Sequence, residues 1–234
     1  MNETSHTHPN LLHRARVPLT KLRQAVEVAI DSWIPNPLGA TVVDIGCGDS
    51  PYRKMFEAKG MKYVACDLGE PADVIFEPNK PIPLPDNSAD VVVSFQVLEH
   101  VWELDWYLGE CRRILKPGGK FIVSTHGVWL YHPHPGDYRR WTCMGLQREL
   151  GEHGLPVSKI EGMVGPLAWT TQFRLFGYYT ASQKVPILGT LLFAPVALFM
   201  NLRMYLEEAI TPKQMKFDHA SMYICLCEKG TPSP

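Results

Sequence analysis

The chain has 234 residues, a formal net charge of −1, and 45% hydrophobic and 20% charged residues. This length allows one well-packed domain, and the near-neutral charge excludes the strongly basic surface typical of nucleic-acid-binding proteins. The six cysteines include no CxxC pair, which favours reduced thiols in a cytoplasmic protein over a disulfide framework.

The first 39 residues are predicted to form a tail and one amphipathic helix. The N-terminus lacks the basic segment and apolar run of a signal peptide. From Val17 to Trp33, apolar side chains recur at helical spacing, and Pro35 and Pro37 then end the helix. We therefore assign residues 1–39 to the tail and helix, and residues 40–234 to the main domain.

A strand, a glycine turn and a helix-compatible stretch come next. Thr41–Ile45 is a short β-branched run of the kind that forms a buried strand. Gly46 and Gly48 follow directly and allow positive φ and a close approach of the backbone to a ligand. A second strand, Lys62–Cys66, ends at Asp67, where a carboxylate can accept hydrogen bonds from both hydroxyls of a ribose. The structural alternative is an acid that only caps a turn.

The glycine turn departs from the dinucleotide fingerprint GxGxxG, because Pro51 stands where the third glycine belongs. This departure weakens the prediction of an NAD-dependent oxidoreductase. Asp44, inside the end of the first strand, points to a different ligand. An acid there can receive a cationic amino group or orient the ligand through water.

The later elements alternate between strands and helices. Asp90–Ser94 is an apolar strand, residues 102–115 carry an apolar helical stripe, and Lys120–Thr125 is the next buried strand. After a further helix, residues 155–161 and 219–230 fit two more strands. This alternation predicts a parallel sheet that is covered by helices on both faces.

Several segments, in this order, resemble the motifs of class I S-adenosylmethionine-dependent methyltransferases. The segment "VVDIGCGDSPY" is similar to motif I, "YVACDLGE" to the acidic end of the second strand, and residues 82–125 to the later motifs. The match covers roughly residues 40–155. It implies a doubly wound α/β fold: a mostly parallel seven-stranded sheet with an antiparallel last strand, plus a hydrophobic helical insertion before that strand.

The resemblance implies S-adenosyl-L-methionine as the cofactor. The positions that match the family's cofactor contacts are Asp44, Gly46, Cys47, Gly48, Asp67, Leu68, Phe95, Gln96 and His100. The glycine turn would pass under the methionine part, with Asp44 beneath its amino group. Asp67 would hold the ribose hydroxyls, and Leu68 would pack on the adenine. Phe95 and Gln96 would line the methionine end, whereas His100 would either approach the cofactor or hold a structural position.

Three histidines are candidates for a general base. Methyl transfer is an in-line displacement at a sulfonium, so the protein mainly aligns the nucleophile. A hydroxyl acceptor must also lose its proton, and histidine is tuned for that task near neutral pH. The segment "YHPHPGDYRRWT" follows the fifth strand, at the sheet edge where the acceptor must lie. We predict His132 or His134 as the base, with His126 at the strand end as the third candidate.

The same loop allows other interpretations. A zinc site needs three or four ligands, and His-Pro-His offers two without a cysteine pair nearby, so we expect no metal site. Arg139 and Arg140 are suited to binding a phosphate. In the purely structural alternative, Asp137 pairs with the arginines and Thr142 caps the following helix.

An unusually long link, residues 162–217, joins the sixth and seventh strands. It holds a charge-free stretch, Val185–Met200, which is shorter than the ~20 apolar residues of a spanning helix and contains Pro186, Gly189 and Pro195. We therefore expect a lid over the acceptor, a homodimer face or a peripheral membrane contact instead of a transmembrane span. The structural alternative is two helices that enlarge the core.

The predicted function is S-adenosylmethionine-dependent methyl transfer to an oxygen, in preference to a nitrogen, of a small, hydrophobic or lipid-linked metabolite. The protein would be cytoplasmic or peripheral to a membrane. Its charge, and the lack of an Asn/Asp-Pro-Pro-Tyr/Phe motif, argue against nucleic acid as the acceptor. Two alternatives stay open: a cofactor-binding protein of the same fold without turnover, and an NAD-dependent oxidoreductase.

Overall fold

The computed structural model describes residues 7–229, apart from the side chains of Pro186 and Thr190. Residues 1–6 of the predicted tail and residues 230–234 of the predicted domain, including the expected end of the last strand, lie outside this part. The elements in chain order are α1 (Arg16–Trp33), β1 (Thr41–Ile45), α2 (Arg53–Glu57), β2 (Lys62–Asp67), β3 (Val74–Ile75), β4 (Ala89–Phe95), a 3-10 turn (Leu98–His100), α3 (Leu104–Ile114), β5 (Leu115–His126), α4 (Cys143–Glu152), β6 (Val157–Met163), α5 (Pro166–Ser182), α6 (Pro186–Ile210), α7 (Lys213–Asp218) and β7 (Met222–Glu228).

The strands form one sheet in the order β3-β2-β1-β4-β5-β7-β6. β7 is antiparallel to both of its neighbours, whereas the other pairs are parallel. The predicted fold class is therefore confirmed. The insertion of β7 beside β6 also differs from the 3-2-1-4-5-6 order typical of the dinucleotide-binding fold, which removes the structural support for the NAD-dependent alternative.

Side chains of the central strands alternate between two cores, one on each face of the sheet. Val42 and Val91 belong to the first core, whereas their chain neighbours Val43 and Val92 belong to the second. Successive residues of a strand point to opposite faces, so both faces must be covered. Residues of α1 and of the insertion complete the first core, and residues of α3 and α4 complete the second.

The predicted turn at residues 116–119 lies inside β5. Ala89 pairs with Leu115, and Val91 already pairs with Lys120, so the turn is a bulge in a longer strand. β6 begins at Val157 because Leu155 still closes the turn after α4, where its N–H donates to a helix carbonyl at 3.0 Å. The predicted strand positions were thus right, and their ends were displaced where a turn remains hydrogen-bonded.

The insertion contains three helices, α5 to α7, between β6 and β7. α6 runs unbroken for 25 residues, with Pro186 in its first turn and Pro195 in its interior. The charge-free stretch Val185–Met200 is thus part of a longer helix, and Pro186 is tolerated because the first turn of a helix has no use for its missing N–H. By length and composition, Ile187–Ile210 is apolar enough to cross a membrane, with a mean hydropathy of 1.7, although core helices can meet the same criterion.

Polar side chains of the insertion connect it to the chain before α1. The Asn201 amide of α6 donates to the carbonyls of Leu11 at 3.1 Å and His13 at 3.3 Å. The Gln172 amide of α5 donates to the carbonyl of Arg14. Asn201 and Gln172 are buried, so α5 and α6 are packed against the N-terminal segment.

Candidate active site

The carboxyl ends of the central parallel strands meet at one edge of the sheet, where ligands bind in open α/β folds. Gly46 follows β1, Asp67 ends β2, Gln96 follows β4 and His126 ends β5. The neighbouring registers bring these four positions to the same edge. The sequence prediction of a shared site is consistent with this arrangement.

The glycine turn is hydrogen-bonded to Asp67. Gly46 N–H donates to the Cys66 carbonyl at 2.8 Å, and Gly48 N–H donates to Asp67 Oδ2 at 2.7 Å. Asp67 Oδ1 accepts from the N–H of Leu68 at 2.7 Å. Each carboxylate oxygen retains a lone pair for a further donor, such as a ribose hydroxyl.

Asp44 lies behind this turn and faces neither of the cavities described below. It is buried and accepts a hydrogen bond from the Tyr63 hydroxyl. Burial raises the pKa of Asp44 to about 7, although the Tyr63 hydrogen bond opposes that shift. The predicted contact of Asp44 with the cofactor amino group stays a prediction, since the side chain lines neither cavity and is hydrogen-bonded to Tyr63.

Two cavities lie along the sheet edge. The first, of about 410 Å³, is lined by the predicted positions Gly46, Asp67, Leu68, Gln96, His100 and His134. The second, of about 450 Å³, is lined by the predicted positions Cys47, Gly48, Phe95, Gln96, His126 and His132. Every predicted site residue except Asp44 therefore lines a cavity, and Gln96 lines both.

Gln96 is held in an uncommon backbone conformation at this junction. Its φ is +58°, and its N–H and side-chain amide donate to the carbonyl and hydroxyl of Ser124 at 2.9 and 3.0 Å. Its Oε1 is buried without a hydrogen-bond partner among residues 7–229. A buried acceptor without a donor is costly, and the ammonium of the cofactor's methionine part would supply one. This site therefore fits the predicted cofactor.

His126 and His132 both line the second cavity. His126 is buried and stacks on Trp129 with ring centroids 4.8 Å apart. His132 is half-buried and lies edge-on to His126 at 4.9 Å. Burial lowers the pKa of His126 well below its ordinary value and lowers the pKa of His132 as well. Both imidazoles are therefore neutral at pH 7 and offer acceptor nitrogens.

His134 lies apart from these two histidines. The chain bends at His134 and Pro135, and His134 lines the first cavity. The predicted extended His-Pro-His segment is therefore divided between two cavities. His100 also lines the first cavity, and its Nδ1 is hydrogen-bonded to the Gly136 carbonyl.

Sequence reasoning missed Glu99, a fully buried carboxyl beside both cavities. Its Oε2 accepts from the Thr125 hydroxyl at 2.8 Å, and its Oε1 lies 3.3 Å from His126 Nε2. Burial raises the pKa of Glu99. The sequence feature that could have identified Glu99 is the position of an acid inside the apolar run "FQVLEHV". Glutamate is rarely buried without a partner, so such an acid points to a nearby polar group.

The rest of the histidine loop is a scaffold. Arg140 forms a two-pronged ion pair with Asp137 at 2.6 and 2.7 Å, and Asp137 also accepts from the N–H of His132 at 2.9 Å. Arg139 donates to the carbonyls of Val101 and Trp102. These bonds support the structural interpretation of the arginines, because both guanidinium groups already have protein acceptors.

Comparison with known proteins shows which domain family and which relatives the chain matches. A family profile described as a methyltransferase domain matches residues 43–123. A probable S-adenosylmethionine-dependent methyltransferase of Mycolicibacterium smegmatis is 35% identical over 106 residues, which are 41% of each chain. Residues 43–123 therefore form a methyltransferase domain, and the matched part of the chain is similar to S-adenosylmethionine-dependent methyltransferases.

Solved structures support the assignment of the fold. The 1,6-didemethyltoxoflavin-N1-methyltransferase of Burkholderia thailandensis, solved with S-adenosylhomocysteine, has a TM-score of 0.56 at 16% identity, covering 91% of this chain and 79% of its own. The [4+2]-cyclase SpnF has a TM-score of 0.54 at 18% identity, covering 89% and 82%. The present chain spans about half or less of the length of the curated relatives that it matches.

Replacing Asp67 by alanine is expected to weaken the affinity of the protein for S-adenosylhomocysteine at least about tenfold. A hydrogen bond to a charged group contributes about 1.5–3 kcal/mol, and tenfold corresponds to about 1.4 kcal/mol. Titration calorimetry measures the change. Asp31→Ala is the matched control, since Asp31 forms a surface ion pair with Lys59 at 2.7 Å. Equal affinities of the Asp67 variant and the control would contradict the ribose assignment, provided that circular dichroism shows both variants folded.

Proposed function

We propose that this protein transfers a methyl group from S-adenosylmethionine to an oxygen of a small, hydrophobic or lipid-linked acceptor. The observation that carries the proposal is the junction at Gln96, which lines both cavities. The first cavity offers Asp67 and Leu68 to the nucleoside. The second is lined by the imidazoles of His126 and His132 and by the Trp129 ring, which would lie next to the methionine end. Cofactor and acceptor would therefore meet at Gln96.

The chain's own residues contribute alignment and proton acceptance. The cofactor supplies a methyl group on a good leaving group. Aromatic and apolar walls, such as Phe95 and Trp129, exclude water and hold an apolar acceptor beside Gln96. An alcohol or phenol must lose a proton as it is methylated, and a neutral imidazole in the cavity can take it. A neutral amine needs no such group, which favours an oxygen acceptor.

The alternative without turnover has one supporting observation. The cyclase SpnF has the same fold, so the fold by itself does not require methyl transfer. The histidines in the second cavity favour a reaction at that position, because a binding site for the cofactor alone needs no proton acceptor. Measured turnover decides between the two.

Incubation with methyl-labelled S-adenosylmethionine and separated lipid and aqueous cell extracts tests the proposal. We expect label in the lipid fraction, in a product that mass spectrometry identifies as an O-methyl compound. Asp67→Ala controls for background labelling. Label confined to N-methyl products would contradict the oxygen assignment, and cofactor binding without labelling of any fraction would favour the binding protein.

A lipid-linked acceptor is supported by the exposed apolar surface of α6. Large side chains there are about half-exposed or more, at 49–83%: Ile187, Leu188, Leu191, Leu192, Leu198, Phe199, Leu202, Leu206 and Ile210. Contiguous apolar surface of this kind marks contact with a membrane or another protein. We propose that α6 lies on the membrane surface, with its buried face on α5 and α1.

Replacing Leu191 and Leu202 together by glutamate is expected to abolish co-sedimentation with phospholipid vesicles, because two charges would enter the apolar boundary. Met144→Glu is the control, since Met144 is 80% exposed on α4, away from this surface. Vesicle binding by the double variant equal to that of Met144→Glu would contradict membrane contact. A wild-type dimer that the double variant converts to a monomer would assign the surface to a second copy instead.

A further inference from the structure

Three side chains with metal-binding atoms, Glu99, His100 and His132, lie close together between the two cavities, and His126 adjoins them. Glu99, His100 and His132 offer ligand atoms that all lie within 4.8 Å of one another. His126 Nε2 lies 3.3 Å from Glu99 Oε1, and His100 Nε2 lies 3.9 Å from the same oxygen. Two ligands of a tetrahedral zinc ion, each about 2.0–2.1 Å from the metal, are themselves about 3.3 Å apart. The Glu99–His126 separation has that value.

Glu99 Oε1 lacks the partner that a buried carboxylate requires. The 3.3 Å approach of His126 does not have hydrogen-bond geometry, and Oε1 has no hydrogen-bond partner among residues 7–229. The nearest rings are those of His126 and His100, whose Nε2 atoms lie 3.3 and 3.9 Å from Oε1. A buried carboxyl oxygen without a partner is costly, and coordination of a cation is one of the ways in which proteins satisfy it.

The outer contacts of two histidines have the pattern found around metal sites. Metal-binding histidines commonly donate their second ring N–H to a carbonyl or a carboxylate, which fixes the ring. His100 Nδ1 is bonded to the Gly136 carbonyl, so that Nε2 faces Glu99. His132 Nδ1 lies 3.4 Å from the Asp137 carboxylate, which leaves Nε2 available. Asp137 is itself held by Arg140, so this outer layer is ordered.

We propose that Glu99, His100, His126 and His132 bind one divalent transition-metal ion, with zinc as the best match to three imidazoles and one carboxylate. Neutral imidazole and ionised carboxylate are the ligands that zinc accepts without cysteine. The sequence prediction of no metal site considered only the His-Pro-His pair, and the structure adds Glu99, His100 and His126 from two other segments.

The position of this ion would give it a role at the acceptor. His126 and His132 line the second cavity, and His100 lines the first. A cation there would act as a Lewis acid towards an oxygen ligand and favour its deprotonated form. With the metal bound, this effect would replace proton acceptance by His126 and His132, because their ring nitrogens would hold the metal. This role rests on the proposed function, whereas binding of the metal does not.

Metal binding can be measured without any acceptor. The full-length protein, stripped with a chelator, would be titrated with Zn²⁺ by calorimetry and with Co²⁺ by visible absorption. We expect the wild type to bind one Zn²⁺ ion. Glu99→Gln or His132→Ala should reduce the Zn²⁺ affinity more than about 100-fold. This loss exceeds the roughly 10–100-fold loss that follows from changing residues that only hydrogen-bond to the metal ligands. Glu99→Gln keeps an acceptor for Thr125, and His132 is only half-buried, so both variants are expected to fold.

His153→Ala is the matched control, because His153 pairs with Asp105 at 2.9 Å, far from the cluster. Zn²⁺ affinity equal among the wild type, both cluster variants and this control would overturn the proposal, and so would the absence of any stoichiometric binding. Co²⁺ absorption with thiolate character would place the metal at cysteine and also overturn it. Metal binding without methyl transfer would contradict only the proposed function, and full turnover in a metal-free protein that binds no zinc would contradict only the metal site.

Discussion

Asp44→Asn is expected to make the protein more stable at pH 8 by about 2–4 kcal/mol and to leave its stability at pH 4 nearly unchanged. Asp44 is buried, and its pKa is raised from 3.8 to about 7, mainly by that burial. Below pH 3.8 the carboxyl is protonated in both the folded and the unfolded chain. Between pH 3.8 and about 7 only the unfolded chain releases the proton, so the free energy of unfolding falls as the pH rises.

Asparagine is neutral at every pH and keeps an oxygen that can accept from Tyr63. The decline in stability between pH 4 and 7 should therefore be smaller in the variant, by up to about 1.4 kcal/mol per unit of pKa shift. Urea unfolding at a series of pH values, without cofactor, measures the difference. Parallel stability curves for the wild type and Asp44→Asn would contradict a raised pKa.

Asp90→Asn is the control of opposite sign. Burial disfavours the Asp90 carboxylate, but the Lys116 ammonium at 2.7 Å and the Thr41 N–H outweigh it and hold its pKa below the usual value. Its contribution to stability is present above the unfolded pKa and is lost as the pH falls. Asp90→Asn should therefore destabilise the protein at pH 7 and less so at pH 3.

Gly46→Ala is expected to destabilise the protein by about 2–5 kcal/mol and to remove measurable binding of S-adenosylhomocysteine. Gly46 has a φ of +80°, and a Cβ there would lie 2.6 Å from Val97 Cγ2. The backbone strain costs about 1–2 kcal/mol, and overpacking against a neighbour costs about 1–3 kcal/mol. Val97 lines the first cavity, so its displacement would also deform the cofactor site.

Gly48→Ala separates these two contributions. Gly48 also has a positive φ, +53°, but a Cβ there would meet no atom within 4 Å. Its stability loss should be about 1–2 kcal/mol, the backbone term alone. Thermal unfolding of both variants measures the contrast, and equal losses would show that the Val97 contact contributes nothing.

The fold was predictable because its signals are local. Thr41–Ile45 has the β-branched composition of a buried strand, and the glycines after it mark the turn. The acid at the end of the next strand, Asp67, occupies a position fixed by chain direction alone. Hydrophobic periodicity similarly located α1 within one residue of its observed start. Each of these signals is contained in a few consecutive residues.

The candidate site was only partly predictable because it depends on contacts between distant segments. The sequence pairs His132 with His134, yet a bend sends His134 to the first cavity and brings His132 next to His100 and His126. Glu99 sits in the middle of this group, and no local pattern connects it to a loop more than thirty residues away. The length of α6 was missed because the charge-free stretch Val185–Met200 was considered alone, whereas the helix continues through charged residues to Ile210.

The place of β7 in the sheet has a consequence for synthesis of the protein on the ribosome. β7 lies between β5 and β6, although it is made after every other described strand. Until residues 222–228 emerge, the nascent chain carries two unpaired strand edges, and such edges promote aggregation. The N-terminal segment must also wait for Asn201 to complete its hydrogen bonds. Folding is therefore expected to finish late, and ribosome-bound intermediates should depend on chaperones that shield exposed strands.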